Sequence, residues 1–298
     1  MKIIQTFWTK PYFDNSNTKS HNRFSGGWPD RTYNYMSWAL SCLQFRKYYD
    51  NVELITDQLG KRLLIDNLKL PYTHVEQSLD CLNNYPTELW AISKIYSYQI
   101  QNEPFIHADG DVFIWKEFDN RIIKSELCAQ QLITDHRPQI ELINTVIKSF
   151  SNIPNCIVSE NSRGNTLCGS NAGIYGGYNI DFFKEFAKLA FDFVDSNGNG
   201  IKTLNTSLLG LVYEEFLFFC LAKQKKIDVE YLLPSIENEF AGNKLVNFEG
   251  IFDNTEFIHP LGTFKTYPVV YKNLAETLRL IYPDYYYRIQ WLVKKGYI

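Results

Sequence analysis

The sequence predicts an α/β fold in which helices flank a parallel-type sheet, and three observations carry that expectation. An apolar run over residues 2–8 is followed by helical spacing from Tyr33 to Phe45 and then by a second strand-like run, Val52-Glu53-Leu54-Ile55-Thr56, which is a β-α-β opening. Strand-like and helix-like segments go on alternating down the chain. With 298 residues, 45% hydrophobic and 16% aromatic, the chain is long enough for one large α/β domain or two smaller ones, each with its own core.

The first strand ends at Thr9-Lys10-Pro11-Tyr12 and gives way to a polar loop from Asn15 to Asp30 that includes Gly26 and Gly27. Met36, Trp38, Ala39, Leu40 and Leu43 then recur at helical spacing, and the second strand stops at Asp57. Helices are expected over Gln58–Leu68 and over Thr87–Gln101, where Trp90, Ile92, Ile95 and Tyr98 form an apolar stripe. A central strand enters the Asp109-Gly110-Asp111 turn. Further helices are expected over Gln139–Ser149, Ile180–Phe193, Ser207–Lys223 and Tyr267–Leu280, and strands over Cys128–Leu132, Ala172–Tyr175, Val229–Leu232 and Glu256–His259. Val194-Asp195-Ser196-Asn197-Gly198-Asn199-Gly200 has some residues of a calcium loop. Thr206 stands where the bidentate glutamate belongs, so a surface turn is expected.

The charge balance, 30 basic against 33 acidic residues, argues against a general nucleic-acid binder, whose footprint is a basic excess. Small polar substrates fit better. Cys42, Cys81, Cys128, Cys156, Cys168 and Cys220 form no CxxC pair, so they read as reduced thiols in a reducing compartment. The amino-terminal segment lacks a signal-peptide core, and no stretch reaches the roughly 18 apolar residues of a membrane span. A cytoplasmic protein, soluble or peripheral to the inner face of a membrane, is expected.

In Phe105-Ile106-His107-Ala108-Asp109-Gly110-Asp111-Val112-Phe113-Ile114, two carboxylates straddle a glycine where apolar sequence is interrupted. Hard oxygen ligands at a strand end can hold a divalent cation against a diphosphate; the alternative is a solvated hairpin turn between edge strands. His107 reads as a packed strand residue. A second pattern follows a short apolar strand: His259-Pro260-Leu261-Gly262-Thr263-Phe264-Lys265, or His-x-x-Gly-x-x-Lys. Its imidazole can complete a metal shell and its lysine can meet phosphate, although a strand end with a capped loop gives the same spacing.

With Asn171-Ala172-Gly173 between them, these motifs stand in the order found in the family 8 retaining glycosyltransferases, the glycogenin and bacterial lipopolysaccharide galactosyltransferase group, which the chain resembles. The resemblance spans about two-thirds of the chain but rests on few residues. It implies a GT-A, Rossmann-type nucleotide-diphospho-sugar transferase fold with a mixed central sheet. One domain over residues 1–298 is expected, with a nucleotide half to about 125, an acceptor half to about 270 and a helical tail beyond. It further implies Mn²⁺ or Mg²⁺ held by Asp109, Asp111 and His259, Asp109 also touching donor sugar or ribose. Gly262 would allow close approach to the diphosphate and Lys265 would bind its oxygens. Lys94 resembles the basic residue that GT-A enzymes place on the helix before the Asp-x-Asp motif. Thr9 and Tyr12 resemble a nucleotide-contacting segment, and Asp57 is placed to meet base or ribose.

Asn171 matches the family's asparagine beside the sugar, though Ala172, Gly173 and Ile174 also read as packing beneath a helix and Gly176-Gly177 as a turn. Glu214-Glu215 departs from the family's Asp-Gln pair. Glu215 is a candidate nucleophile, or a base if the reaction inverts, while two solvated helix acids would give the same sequence. The expected reaction moves a sugar from a nucleotide-sugar, first of all a UDP-sugar, to a saccharide or lipid-linked acceptor with retention. A metal-dependent phosphohydrolase and a noncatalytic carbohydrate-binding protein are the rivals. The tail, with Tyr285, Tyr286, Tyr287, Arg288, Trp291, Lys294 and Lys295, suits either packing on the domain or weak peripheral membrane contact.

Overall fold

A computed structural model describes residues 1–13, 25–134, 137–163, 167–204, 208–233 and 245–298. Its strands are β1 (Lys2–Phe7), β2 (Val52–Thr56), β3 (His74–Gln77), β4 (Phe105–Ala108), β5 (Phe113–Ile114), β6 (Leu127–Ala129), β7 (Leu132–Thr134), β8 (Cys168–Ser170), β9 (Ile174–Gly177), β10 (Val229–Tyr231) and β11 (Phe257–Ile258). The architecture is α/β with mixed strand pairing and flanking helices. The chain forms two compact units, each assembled from separated segments. The terminal unit comprises Lys2–Asn84, Ala108–Glu117 and Phe240–Ile298; the middle unit comprises Tyr85–His107 and Phe118–Glu239, with Met1.

In the terminal unit, β1, β2 and β3 pair in parallel, with Ile3 opposite Val52 and Glu53 opposite His74. The crossover between β1 and β2 is helix Arg31–Tyr48. Asp30 starts it by accepting from the Thr32 N–H at 2.7 Å, an amide the helix leaves open, and Arg46 near its end donates to the carbonyls of Tyr49 and Asp50 just past the last turn. Trp38, Ala39, Leu40 and Leu43 of this helix join Phe7, Leu54 and Leu64 in one core. Helices Pro268–Ile281 and Pro283–Lys294 complete it through Val270, Leu274, Leu278, Ile289 and Leu292, so the carboxy-terminal tail packs on the domain. The helix expected over Gln58–Leu68 is one α-turn, Gln58–Gly60, running into a wider π-type stretch, Lys61–Asn67.

The middle unit orders its strands β10–β6–β9–β4, with β10 parallel and β9 antiparallel to β6. β7 and β8 form a separate antiparallel pair. Helix Ile180–Ser196 begins at Asn179, whose side chain accepts from the Phe182 N–H, and buries Phe182, Phe183, Phe186, Ala190 and Phe193 at helical spacing. These rings meet Tyr98, Tyr175 and Phe218, the last two stacked at 4.2 Å. Gly176 lies inside β9 rather than in a turn. A Cβ there would sit 2.2 Å from the Phe105 carbonyl oxygen, so close strand approach explains the glycine.

The segment 194–200 turns between two helices and is exposed at Asp195, Ser196 and Gly198, but Asn197 is buried: it donates to the carbonyls of Asn152 and Phe193 and accepts from the Ser151 N–H, fastening two helix ends together. The helix expected from Ser207 opens instead with a π-type segment, Leu211–Phe216, and becomes α-helical over Leu217–Lys225; Ser207 itself lies outside the described residues. A backbone widened by one residue per turn changes which side chains face inward, a shift that the 3.6-residue period does not reveal. The exposed edge strand β3 and helix Asn155–Ser162 carry no strong periodic signal and were not expected from sequence.

Candidate metal and diphosphate site

The Asp109-Gly110-Asp111 turn closes with the Val112 N–H donating to the Asp109 carbonyl. Strand β5, which leaves it, pairs antiparallel with β11 rather than forming a solvated hairpin with β4. Phe257 stands opposite Ile114 and Ile258 opposite Phe113, and this register delivers the next residue, His259, beside the turn. The short ladder is thus what joins two motifs distant in sequence.

Polar groups of β1 and helix Arg31–Tyr48 hold the turn from beneath. Ser37 Oγ donates to the Gly110 carbonyl at 2.9 Å, and Ser41 Oγ to the Val112 carbonyl at 2.7 Å. Gln5 Nε2 donates to Ser41 Oγ and to the Asp109 carbonyl, while Tyr72 OH donates to Gln5 Oε1. Gln5, Ser37 and Ser41 are fully buried. Their supporting role was not recognised from sequence, although a glutamine inside an apolar strand and two serines four apart on an otherwise apolar helix face are a visible sign. Gly110 is required by its neighbour: a Cβ would lie 2.5 Å from ring carbons of Trp38.

Asp109, Asp111 and His259 each offer a ligand atom, and the three atoms lie within 4.8 Å of one another. Two carboxylate oxygens and one imidazole nitrogen suit Mn²⁺ well, and Mg²⁺ less well because it favours all-oxygen shells. His259 is buried, with its Nε2 3.4 Å from Asp111 Oδ1, and its N–H donates to the Leu245 carbonyl. Lys265 Nζ forms an ion pair with Asp111 Oδ2, donates to the Gly26 carbonyl at 3.0 Å and lies 5.8 Å over the Trp28 ring. Burial pushes the Asp111 carboxyl up, but the charges and hydrogen bonds of Lys265 and His259 outweigh it and hold the group well below the usual carboxylate range. Gly262 has φ +49, and a Cβ there would meet nothing within 4 Å, so its backbone borders open space.

With this geometry in hand, the comparison by family is decisive about membership and silent about activity. The match to the family of unknown function DUF6734 covers residues 1–292. The chain belongs to that family. No curated protein matches it in sequence.

Elsewhere in the terminal unit, Thr9 and Asp57 line a 410 Å³ cavity together with Lys10, Gln58, Asp80 and Asn83. Asp57 fastens strand ends there: Oδ2 accepts from Thr9 N–H and Thr9 Oγ, and Oδ1 from the Gly60 N–H, all at 2.7 Å. Burial nevertheless pushes its carboxyl up. Tyr12 does not line this cavity. Its ring packs 5.2 Å from Phe7 and its N–H donates to the Thr9 carbonyl.

The remaining residues singled out from sequence lie in the middle unit. Lys94 and Glu214 form a buried ion pair, Nζ to Oε1 at 3.0 Å, with side chains 8% and 2% exposed. Lys94 also donates to the Ala172 carbonyl at 3.2 Å, and Tyr98 OH reaches Glu214 Oε1 at 3.4 Å. Asn171 is buried, and its Oδ1 accepts from the Gly173 N–H, forming an Asx turn in the Asn-Ala-Gly segment. Glu215 is buried as well, so neither acid of the pair is a solvated helix residue. His107 is a packed strand residue, edge-on to Tyr98 at 5.2 Å. Burial, helped by the charge of Lys94, holds its pKa well below the ordinary histidine value.

Proposed function

We propose that this protein is a metal-dependent glycosyltransferase that moves a sugar, with retention, from a nucleotide-sugar, UDP-linked in the first instance, to a saccharide or lipid-linked acceptor. The observation that supports it best is the convergence of Asp109, Asp111 and His259, from two separate chain segments of the terminal unit, with Lys265 beside them. A phosphohydrolase would leave the His-x-x-Gly-x-x-Lys segment without a purpose, and a carbohydrate-binding module needs no such cluster.

In this proposal Asp109, Asp111 and His259 hold Mn²⁺. The ion supplies Lewis acidity that makes a nucleoside diphosphate a better leaving group. Gly262 keeps its backbone approachable, and Lys265 offers an ammonium to diphosphate oxygens. Thr9 and Asp57 flank the cavity assigned to the nucleoside, while Tyr12 packs on Phe7. Asn171 serves the sugar side, Lys94 acting through the segment it holds at the Ala172 carbonyl, and Glu215 is the candidate nucleophile. A GT-A fold and a cytoplasmic location belong to the same proposal. Among the described residues no helix is long and apolar enough to cross a membrane. Tyr287, Trp291 and Tyr297 are exposed beside Lys294 and Lys295, which supports weak peripheral contact with a membrane.

Incubation with Mn²⁺ and a panel of UDP-sugars, alongside simple phosphate esters, tests the assignment. Metal-dependent release of UDP with the esters untouched is the expected result. Steady ester hydrolysis without turnover of any sugar nucleotide would replace the transferase with a phosphohydrolase.

A further inference from the structure

We propose that Lys265 stands in for the cation at Asp111 and is drawn off it by the diphosphate, so that metal and nucleotide bind cooperatively. This rests on the metal site assigned above.

Both oxygens of Asp111 are engaged, Oδ1 near His259 Nε2 and Oδ2 in the ion pair with Lys265. The ammonium therefore occupies the charge position that a divalent ion would need on the same carboxylate. Its place is built rather than incidental. Gly26 presents its carbonyl to Nζ, Trp28 lies under it, and Gly27 adopts φ +86, where a Cβ would press to 3.2 Å from Lys265 Cδ. Gly26, Gly27 and Trp28 thus line the Lys265 side chain.

A dication brought to Asp109 and Asp111 while Lys265 stays would set like charges against each other across one carboxylate. Two ways out exist: the lysine leaves, or an anion joins the cluster and shields one cation from the other. A diphosphate does both, since its oxygens attract the ammonium and bridge to the metal. Each ligand then raises the affinity of the other by the same factor, as linkage requires.

The test counts bound Mn²⁺ by electron paramagnetic resonance, with the UDP–Mn²⁺ complex measured separately and subtracted. The parent should bind Mn²⁺ weakly alone and more tightly with UDP. Lys265→Met should bind Mn²⁺ alone on the order of tenfold more tightly than the parent and lose most of the enhancement by UDP. Lys265→Arg, which keeps the charge, should stay weak like the parent. If Lys265→Met binds Mn²⁺ alone no more tightly, or if UDP leaves the parent's Mn²⁺ affinity unchanged, the proposal is overturned. Asp111→Asn separates the two failures. Should it leave the parent's Mn²⁺ binding intact, the metal site itself is misassigned and the proposal falls with it. Should it remove binding while Lys265→Met brings no gain, the metal site stands and the stand-in role is wrong.

Discussion

Each unit pairs a lysine with a carboxylate, buried in the middle unit and half-buried in the terminal one, and the pairs differ in what surrounds them. In the middle unit Lys94 and Glu214 answer one another, with Tyr98 OH and the Ala172 carbonyl taking up further hydrogen-bonding capacity. In the terminal unit Lys265 faces Asp111 beside a second carboxylate, Asp109, and the imidazole of His259. The first arrangement is a closed structural pair that fixes the Asn171–Gly173 segment. The second gathers more metal ligands than one ammonium balances, and it borders open space at Gly262. In the proposed reading, excess carboxylate at a supported turn marks a place for a cation, whereas the middle-unit pair needs none.

The difference can be broken most forcefully at Glu214. Glu214→Ala leaves Lys94 charged and buried, and urea unfolding at pH 7 should show a loss of about 3–5 kcal/mol. Lys94→Met combined with Glu214→Leu should recover most of it. A change under about 1 kcal/mol for the single variant would mean that the pair is not closed off from water. A smaller stability effect is expected in the terminal unit from Gly110→Ala, because the new methyl meets the Trp38 ring. About 1–3 kcal/mol of destabilisation by the same measurement, with weakened Mn²⁺ binding, is the expected outcome.

His107 gives the middle unit a pH dependence of its own. His107 is neutral in the fold, its pKa lowered well below 6.5 by burial and by Lys94. The unfolded chain takes up this proton first as pH drops. Stability from this residue is therefore complete above about pH 6.5 and declines below it, by at most about 1.4 kcal/mol per pH unit. Unfolding measured from pH 7.5 to 5 should show that slope in the parent and a shallower one in His107→Gln. Equal slopes would remove His107 as the source.

Much of this was legible in the sequence where the cause is local. β1, helix Arg31–Tyr48 and β2 lie within a few residues of their expected bounds, since apolar spacing and the Asp30 cap act over short range. The clustering was legible too: Asp109, Asp111 and His259, singled out in two separate motifs, stand together in the fold. The rest depends on tertiary placement. Nothing in the spacing says that Lys265 pairs with Asp111, or that Lys94 pairs with Glu214, since neighbouring helix residues point about 100° apart and the π-type turn at Leu211–Phe216 alters that phase. The two-residue ladder of β5 with β11, on which the whole site depends, is too short to leave a periodic signal.

Calorimetric titration of UDP in the presence and absence of Mn²⁺, on the parent and on Asp111→Asn and His259→Ala, tests the central claim most directly. Metal-dependent UDP binding in the parent, lost in both variants while their circular dichroism and unfolding remain cooperative, is the predicted result. UDP and Mn²⁺ bound by both variants as tightly as by the parent would contradict it.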